Sequence, residues 1–130
     1  MAGIEWLVEA FGCSPSALRD TAALRTLFDL IISDMGLKPV GEAVWHRFPH
    51  PGGVTGFWLL QESHLALHSF PEHGSVCLNL FCCRERSALD WETRLGVLLG
   101  ASQVDVREFS RIYRLQPHQV GSRSLSGGTR

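Results

Sequence analysis

The chain has 130 residues, which is the size of one domain and enough to bury about two-thirds of the surface its unfolded form would expose. An apolar share of 45% and a charged share of 19% describe a folded globular chain, and no apolar run approaches the ~20 residues that span a bilayer. Twelve basic and thirteen acidic residues are mixed along the chain for a net charge of −1, so the sequence carries no electrostatic footprint for nucleic acid or an anionic membrane.

The opening MAGIEWLVEAFG has no basic n-region, and Glu5 and Glu9 interrupt its apolar stretch; a cytoplasmic location is therefore expected. Within it, Glu5 to Phe11 is β-prone and stops at Gly12, which predicts a first strand. Ser14 followed by Pro15 starts a helix well, and Leu24, Leu27, Phe28, Ile31, Ile32 and Met35 recur at helical spacing up to Gly36.

From Pro39 the pattern turns to β. Val40 to Phe48 and Val54 to Leu60 flank the turn PHPGG, residues 49 to 53, as a hairpin. A run from Leu65 to Phe70 ends at the turn from Pro71 to Gly74, and Val76, Leu78 and Leu80 alternate with Cys77, Asn79 and Phe81. Ser87 is placed to cap a second helix carrying Leu89, Trp91, Leu95, Leu98 and Leu99 before Gly100, and a last strand fits Val104 to Tyr113. The order β-α-ββββ-α-β predicts an α+β fold, a two-layer sandwich in which a mainly antiparallel sheet carries two helices on one face. Residues 122 to 130, SRSLSGGTR, are expected to be a disordered tail beyond a single domain of residues 1 to 121.

The stretch LLQESHLALHSFPEH, residues 59 to 73, gathers one acid pair, two serines and three histidines beside a strand pattern. A metal site is weakly supported: on a strand, His64 and His68 stand ~13 Å apart and no CxxC pair is present, so the expectation is no metal. A Ser/His or Cys/His hydrolase lacks the strand-to-helix elbow around Ser63 or Cys83. On residue types alone a purely structural reading stays open, with Ser63 a turn residue, His64 and His68 satisfied strand residues, and Cys13, Cys77, Cys82 and Cys83 small core side chains. The four cysteines fit free thiols in a reducing compartment, which leaves at least one available for chemistry.

The order of the whole segment adds to this. Glu62-Ser63-His64, then His68, then Phe70-Pro71-Glu72, then Phe81-Cys82-Cys83 resembles the self-processing region of the prokaryotic S-adenosylmethionine decarboxylases, whose pattern runs ESH, three residues, H, a WPE-like turn and FTC. EAFGC (9 to 13), HRF (46 to 48), GVTG (53 to 56) and VDVREF (104 to 109) resemble further elements of that family, so the likeness spans residues 5 to 113.

The resemblance implies a pyruvoyl-dependent decarboxylase. Its chain would cut itself between Glu62 and Ser63 into residues 1 to 62 and 63 to 130, leaving a covalent pyruvoyl group made from Ser63 as the cofactor. That keto group would bind the substrate amine as a Schiff base and take up the electrons released with carbon dioxide. By the same resemblance Thr55 supports processing, His68 is the base of the elimination and Cys83 the proton donor, with Cys82 its rival. Phe48 and Phe70 would stack on the adenosyl group, and Glu72 would hold the ribose hydroxyls.

The expected small-molecule substrate is S-adenosylmethionine, converted to the aminopropyl donor of spermidine synthesis, and the expected assembly is a homodimer whose subunits both furnish site residues. This chain departs from the family pattern at Thr55 (serine there), Phe70 (tryptophan), His73 and Ser75 (tyrosines), Asn79 (aspartate) and Arg84 (glycine). Those departures keep two alternatives open: a pyruvoyl enzyme of the same fold acting on arginine or ornithine, and an uncleaved homologue serving as a dimer partner or regulator.

Overall fold

The computed structural model describes residues 2–84 and 86–112; the expected tail at 122 to 130 and Tyr113 lie outside the described residues. The elements are β1 (Ala2–Phe11), α1 (Pro15–Leu18), α2 (Thr21–Met35), β2 (Val44–Arg47), β3 (Val54–Leu60), β4 (Ser63–Phe70), a 3-10 turn (Pro71–His73), β5 (Ser75–Cys82), α3 (Trp91–Leu99) and β6 (Gln103–Ile112). The six strands form one sheet in the order β2-β3-β4-β5-β1-β6, with every named pairing antiparallel. The α+β sandwich is as the sequence predicts, with the meander β2 to β5 completed by β1 and β6 on one side.

Several boundaries differ for local reasons. The single helix expected from Ser14 to Met35 is two, because Asp20 leaves the helical region and its carboxylate accepts the Ala22 amide, starting α2 afresh. The first strand of the hairpin shrinks from residues 40 to 48 to Val44–Arg47, since Gly41 has a left-handed backbone, φ 70°, and only Pro39 bridges to the sheet before it. Asp90, not Ser87, caps α3, its carboxylate accepting the Thr93 amide. The strand expected to begin at Leu65 begins at Ser63, and β1 begins at Ala2.

Strand alternation divides the sheet into two faces with different tasks. Trp6, Val8, Ala10, Val54, Leu60, Leu65, Leu67, Val76, Leu78, Leu80 and Cys82 point to one side and are buried against Leu24, Leu27, Phe28 and Ile31 of α2 and Trp91, Leu95 and Leu99 of α3. Gly56 lets Trp45 of β2 lie flat across β3, because any Cβ there would run into the indole ring, and Phe28 packs on that ring at 4.6 Å between centroids. Ser69, fully buried, donates to the Leu18 carbonyl at 2.7 Å and accepts the Val54 amide at 3.0 Å, pinning α1 to the sheet. Among the described residues no helix is long and apolar enough to cross a membrane.

Among the described residues no helix covers the opposite face. Glu5, Glu9, Phe57, Leu59, His64, His68, Phe70, Asn79 and Phe81 lie there at positions that are half-buried or exposed. The sheet thus holds the core on one side and leaves these polar and aromatic side chains on the other. Phe28→Ala, which removes the fully buried ring joining α2 to Trp45 and Trp58, should cost about 3–5 kcal/mol, read as a lower denaturant midpoint at unchanged slope.

Candidate active site

The hairpin joining β3 to β4 turns at Gln61 and Glu62, and the Glu62–Ser63 peptide bond is the step from that turn into β4. Three sets of contacts hold the step. The Glu62 carbonyl accepts the Cys83 amide at 2.9 Å, so the backbone just beyond β5 fixes the orientation of that peptide. The Glu62 carboxylate, 10% exposed, accepts Arg84 Nη2 at 2.8 Å and Arg86 Nε at 2.9 Å, with Arg86 Nη2 also bonded to it. Arg86 Nη1 in turn donates to the Met35 carbonyl at 3.2 Å, tying the ion pair to the end of α2. The Arg86 guanidinium holds the Glu62 carboxyl below the usual carboxylate range against the opposing effect of burial.

The third contact is at the serine. Ser63 lies in register with Leu60 and Cys82, both on the buried face, yet its hydroxyl lies 3.2 Å from Nδ1 of His64, which belongs to the open face. His64 Nε2 and Asn79 Oδ1 are 2.9 Å apart, Asn79 Nδ2 donates to Glu5 Oε2 at 2.6 Å, and Arg111 is bonded to the other Glu5 oxygen. Phe57, stacked at 5.8 Å, and Phe81 at 6.0 Å hold the imidazole between them. Four strands, β4, β5, β1 and β6, thus supply one chain of polar groups leading to the Ser63 hydroxyl.

The two neighbouring cysteines differ in environment. Cys82 is fully buried under the helices and burial pushes its thiol up to about 11, whereas Cys83 is half-buried one residue past the end of β5. Of the two, Cys83 is the less enclosed. Cys13 is buried, Cys77 donates weakly to the His68 carbonyl at 3.7 Å, and burial raises both thiols.

A second group of the expected residues gathers at the other end of β4. Thr55 and His68 are cross-strand partners, and Thr55 Oγ1 lies 2.6 Å from His68 Nδ1. The His68 ring meets Phe70 edge-on at 4.6 Å and Phe48 at 6.0 Å, with His46 packed on Phe48 at 4.5 Å. Glu72, in the 3-10 turn beyond, is exposed beside His73. Thr55, His68, Phe48 and Phe70 are thus brought together, while Ser63 stands five residues up β4, about 16 Å away at ~3.3 Å per residue. The candidate residues of one chain thus fall into two groups at opposite ends of β4.

Sequence reasoning noted His64 within the ESH motif and Asn79 as a departure from the family pattern, but it did not connect them to each other or to Glu5, and it did not single out Arg86. The first three are separated by up to 74 residues and meet only through the β1–β5 and β4–β5 registers. The signal available was that all three fall at outward-facing positions of their strands. Among the described residues no three His, Cys, Asp or Glu side chains are grouped to hold a metal ion.

Comparison with known proteins identifies a family and a fold. The model of the S-adenosylmethionine decarboxylase family matches residues 4–112. An S-adenosylmethionine decarboxylase proenzyme from Prochlorococcus marinus is 33% identical over 112 residues, covering 85% of this chain and 88% of the relative. One from Bacillus velezensis is 33% identical over 113 residues, covering 86% of each. The crystal structure of an adenosylmethionine decarboxylase from Aquifex aeolicus superposes with a TM-score of 0.71 over 88% of this chain and 94% of that one; at 21% identity, this is a likeness of fold.

The Arg86–Glu62 pair has a signed pH dependence. A carboxyl lowered in the folded state stabilises the fold above its unfolded value near 4.3, and that contribution disappears as pH falls through the lower folded value. In an uncut Ser63→Ala background, Arg86→Met should cost about 2 kcal/mol at pH 7, because it strips a buried carboxylate of its main partner. The deficit should shrink below pH 4, as read by chemical denaturation across that range.

Proposed function

The chain belongs to the S-adenosylmethionine decarboxylase family, and we propose that it is a proenzyme that cuts itself between Glu62 and Ser63 and then decarboxylates S-adenosylmethionine. The product would be the aminopropyl donor of spermidine synthesis. The observation that carries this reading is the state of one peptide bond. Its carbonyl already accepts a backbone amide, its acid side chain is clamped by two arginines, and the hydroxyl that must attack it sits at an imidazole.

Attack of Ser63 Oγ on the Glu62 carbonyl carbon forms the C–O bond, breaks the C–N bond and turns the amide into an ester. Negative charge gathers meanwhile on the Glu62 oxygen that the Cys83 amide faces. Removal of the Ser63 Cα proton then breaks the Oγ–Cβ bond and releases Glu62 as a new carboxylate terminus. Loss of ammonia in exchange for water leaves residue 63 as a pyruvoyl group. A half-exposed serine at the start of a strand, with its peptide held and its own side chain unencumbered by packing, fits that conversion. Once formed, the pyruvoyl group supplies the carbonyl that takes up the electrons released with carbon dioxide, an electron sink that standard side chains lack.

The remaining residues divide by position. Cys83 donates the proton that replaces the carboxylate. His68, hydrogen-bonded to Thr55, is the base of the elimination, with Phe48 and Phe70 stacking on the adenosyl group and Glu72 accepting its ribose hydroxyls. About 16 Å of β4 separates these from Ser63 of the same chain, so the assembly we propose is a homodimer with the open faces stacked about a two-fold axis. Ser63 of one subunit then meets His68 of the partner subunit, and exposed Val44, Phe57 and Leu59 become covered. The four cysteines, none in a disulfide among the described residues, suit the reducing cytoplasm as the setting.

The test is the denatured mass of the purified protein beside Ser63→Ala, with release of labelled carbon dioxide from carboxyl-labelled S-adenosylmethionine, arginine and ornithine. Two chains ending at 62 and beginning at 63 are expected, the second lighter than a serine-initiated chain by one ammonia, with Ser63→Ala intact and S-adenosylmethionine the substrate turned over. A wild-type chain that stays whole for days and releases no carbon dioxide would show instead a non-catalytic homologue. Cleavage with turnover of arginine or ornithine alone would move the substrate and keep the chemistry.

A further inference from the structure

Building on the self-cleavage reading, we propose that His64 is the general base that activates Ser63 for attack on the Glu62 carbonyl, and that Asn79, Glu5 and Arg111 are the positioning residues that fix its tautomer. The argument starts at the far end of the chain of contacts. Glu5, as a carboxylate, can only accept, and Asn79 lies 2.6 Å from it through Nδ2, so the asparagine amide is oriented with Nδ2 toward β1. Its Oδ1 therefore faces His64 and can only accept, which requires the proton of the imidazole to sit on Nε2 at 2.9 Å. Nδ1 is then the unprotonated nitrogen, and it is the atom 3.2 Å from Ser63 Oγ. The serine donates and the imidazole accepts, the polarity that a nucleophile and its base require.

Geometry supports the same role. Phe57 and Phe81 fix the ring plane between them, and the Arg111 guanidinium lies over Phe81 at 5.9 Å while bonded to Glu5, so the orienting carboxylate is itself held. The arrangement has the logic of a nucleophile, a base and an orienting group, with the last position divided between a neutral amide and the carboxylate behind it. His68 cannot serve its own chain in this step, being about 16 Å along the strand.

The step balances within the chain. His64 Nδ1 takes the Ser63 Oγ proton as the Oγ–C bond forms, and returns it to the Ser63 nitrogen as the C–N bond breaks, leaving an ester, a free amine and the imidazole in its starting tautomer. Two bases would then divide the processing reaction, His64 serving the acyl shift and His68 the elimination.

Hydroxylamine separates the two stages, because it splits the ester and leaves the peptide bond intact. Intact mass would be followed over time, with and without hydroxylamine, for the full-length wild type, His64→Gln, His64→Ala, His68→Ala, Asn79→Leu and Asn79→Asp, each checked for its fold by circular dichroism. His68→Ala should stay whole until hydroxylamine splits it at 62/63. His64→Gln should resist both, with self-cleavage slowed at least about 100-fold. His64→Ala should regain cleavage in added imidazole, which matches the ring that the substitution removes from between Phe57 and Phe81.

Asn79→Leu should slow cleavage at least about tenfold, while Asn79→Asp, which keeps the acceptor for Nε2, should stay within about threefold of wild type. Self-cleavage of folded His64→Gln at near the wild-type rate, or ester trapped in it by hydroxylamine, would overturn the assignment. So would an imidazole-insensitive His64→Ala that cleaves as wild type does. A wild-type chain that never cuts would count against self-cleavage itself, an outcome distinct from any of these.

Discussion

The fixed point of this molecule is the Glu62–Ser63 step, where a turn is denied the freedom turns usually have. A two-residue connection between antiparallel strands is set by its ends, which here are locked into β3 and β4 by the pairing of Leu60 with Ser63. What is added is a second lock on the turn itself: the carbonyl of Glu62 on the Cys83 amide, and its side chain on Arg84 and Arg86. A peptide bond held at carbonyl and side chain loses little further entropy when a nucleophile is presented to it, the condition under which an intramolecular reaction gains most over its solution counterpart. The departure from the family pattern at residue 84 is then intelligible in this chain, since Arg84 contributes to the grip on the residue before the scissile bond.

The two faces of the sheet separate the demands of stability from those of chemistry. Trp6, Leu65, Leu78 and Leu80 are buried under α2 and α3, and the alternate residues are left to carry His64, His68, Asn79 and Glu5 on the other side. Because strand positions are fixed by ladder hydrogen bonds, these side chains are placed more rigidly than loop residues would be. The strand register assigns both Ser63 and its direct partner Cys82 to the core face, but Ser63 is at the strand start and its hydroxyl reaches His64, while Cys82 stays buried.

Much of this was legible in the sequence, for physical reasons that differ by element. The period-two patterns from Leu65 to Phe70 and Val76 to Phe81 named the strands because burial on one face leaves that mark, and the ESH, PE and FxC spacing carried the resemblance to the family that the chain belongs to. The break at Asp20 was hidden because a capping aspartate reads as an ordinary polar residue inside a helical pattern. The contact between Ser63 and His64 was not legible because the sequence pattern starts the strand at Leu65, whereas the ladder begins at Ser63, where the serine is paired with its neighbours at a strand end. The contacts of Glu62 with Arg86 and of Asn79 with Glu5 join residues 24 and 74 apart, and no local pattern encodes them.

The same ion pair has a second consequence once the chain is divided. Glu62 would end one polypeptide, and Arg84 and Arg86 belong to the other, so the pair that positions the bond before cleavage becomes a cross-link between the products. It is reinforced by the antiparallel ladders in which β3 pairs with β4 and β1 pairs with both β5 and β6, each joining strands from opposite sides of the cut. The new terminal carboxylate appears beside the Cys83 amide and near two guanidinium groups, surroundings suited to a second negative charge. That charge would favour the eliminated products over return to the ester, because the released acid is ionised and held as an anion. On the proposed cleavage, a clamp that readies the intact bond would also stabilise its products, and the ladders would hold the sheet together after the loss of the connection that built the β3–β4 hairpin.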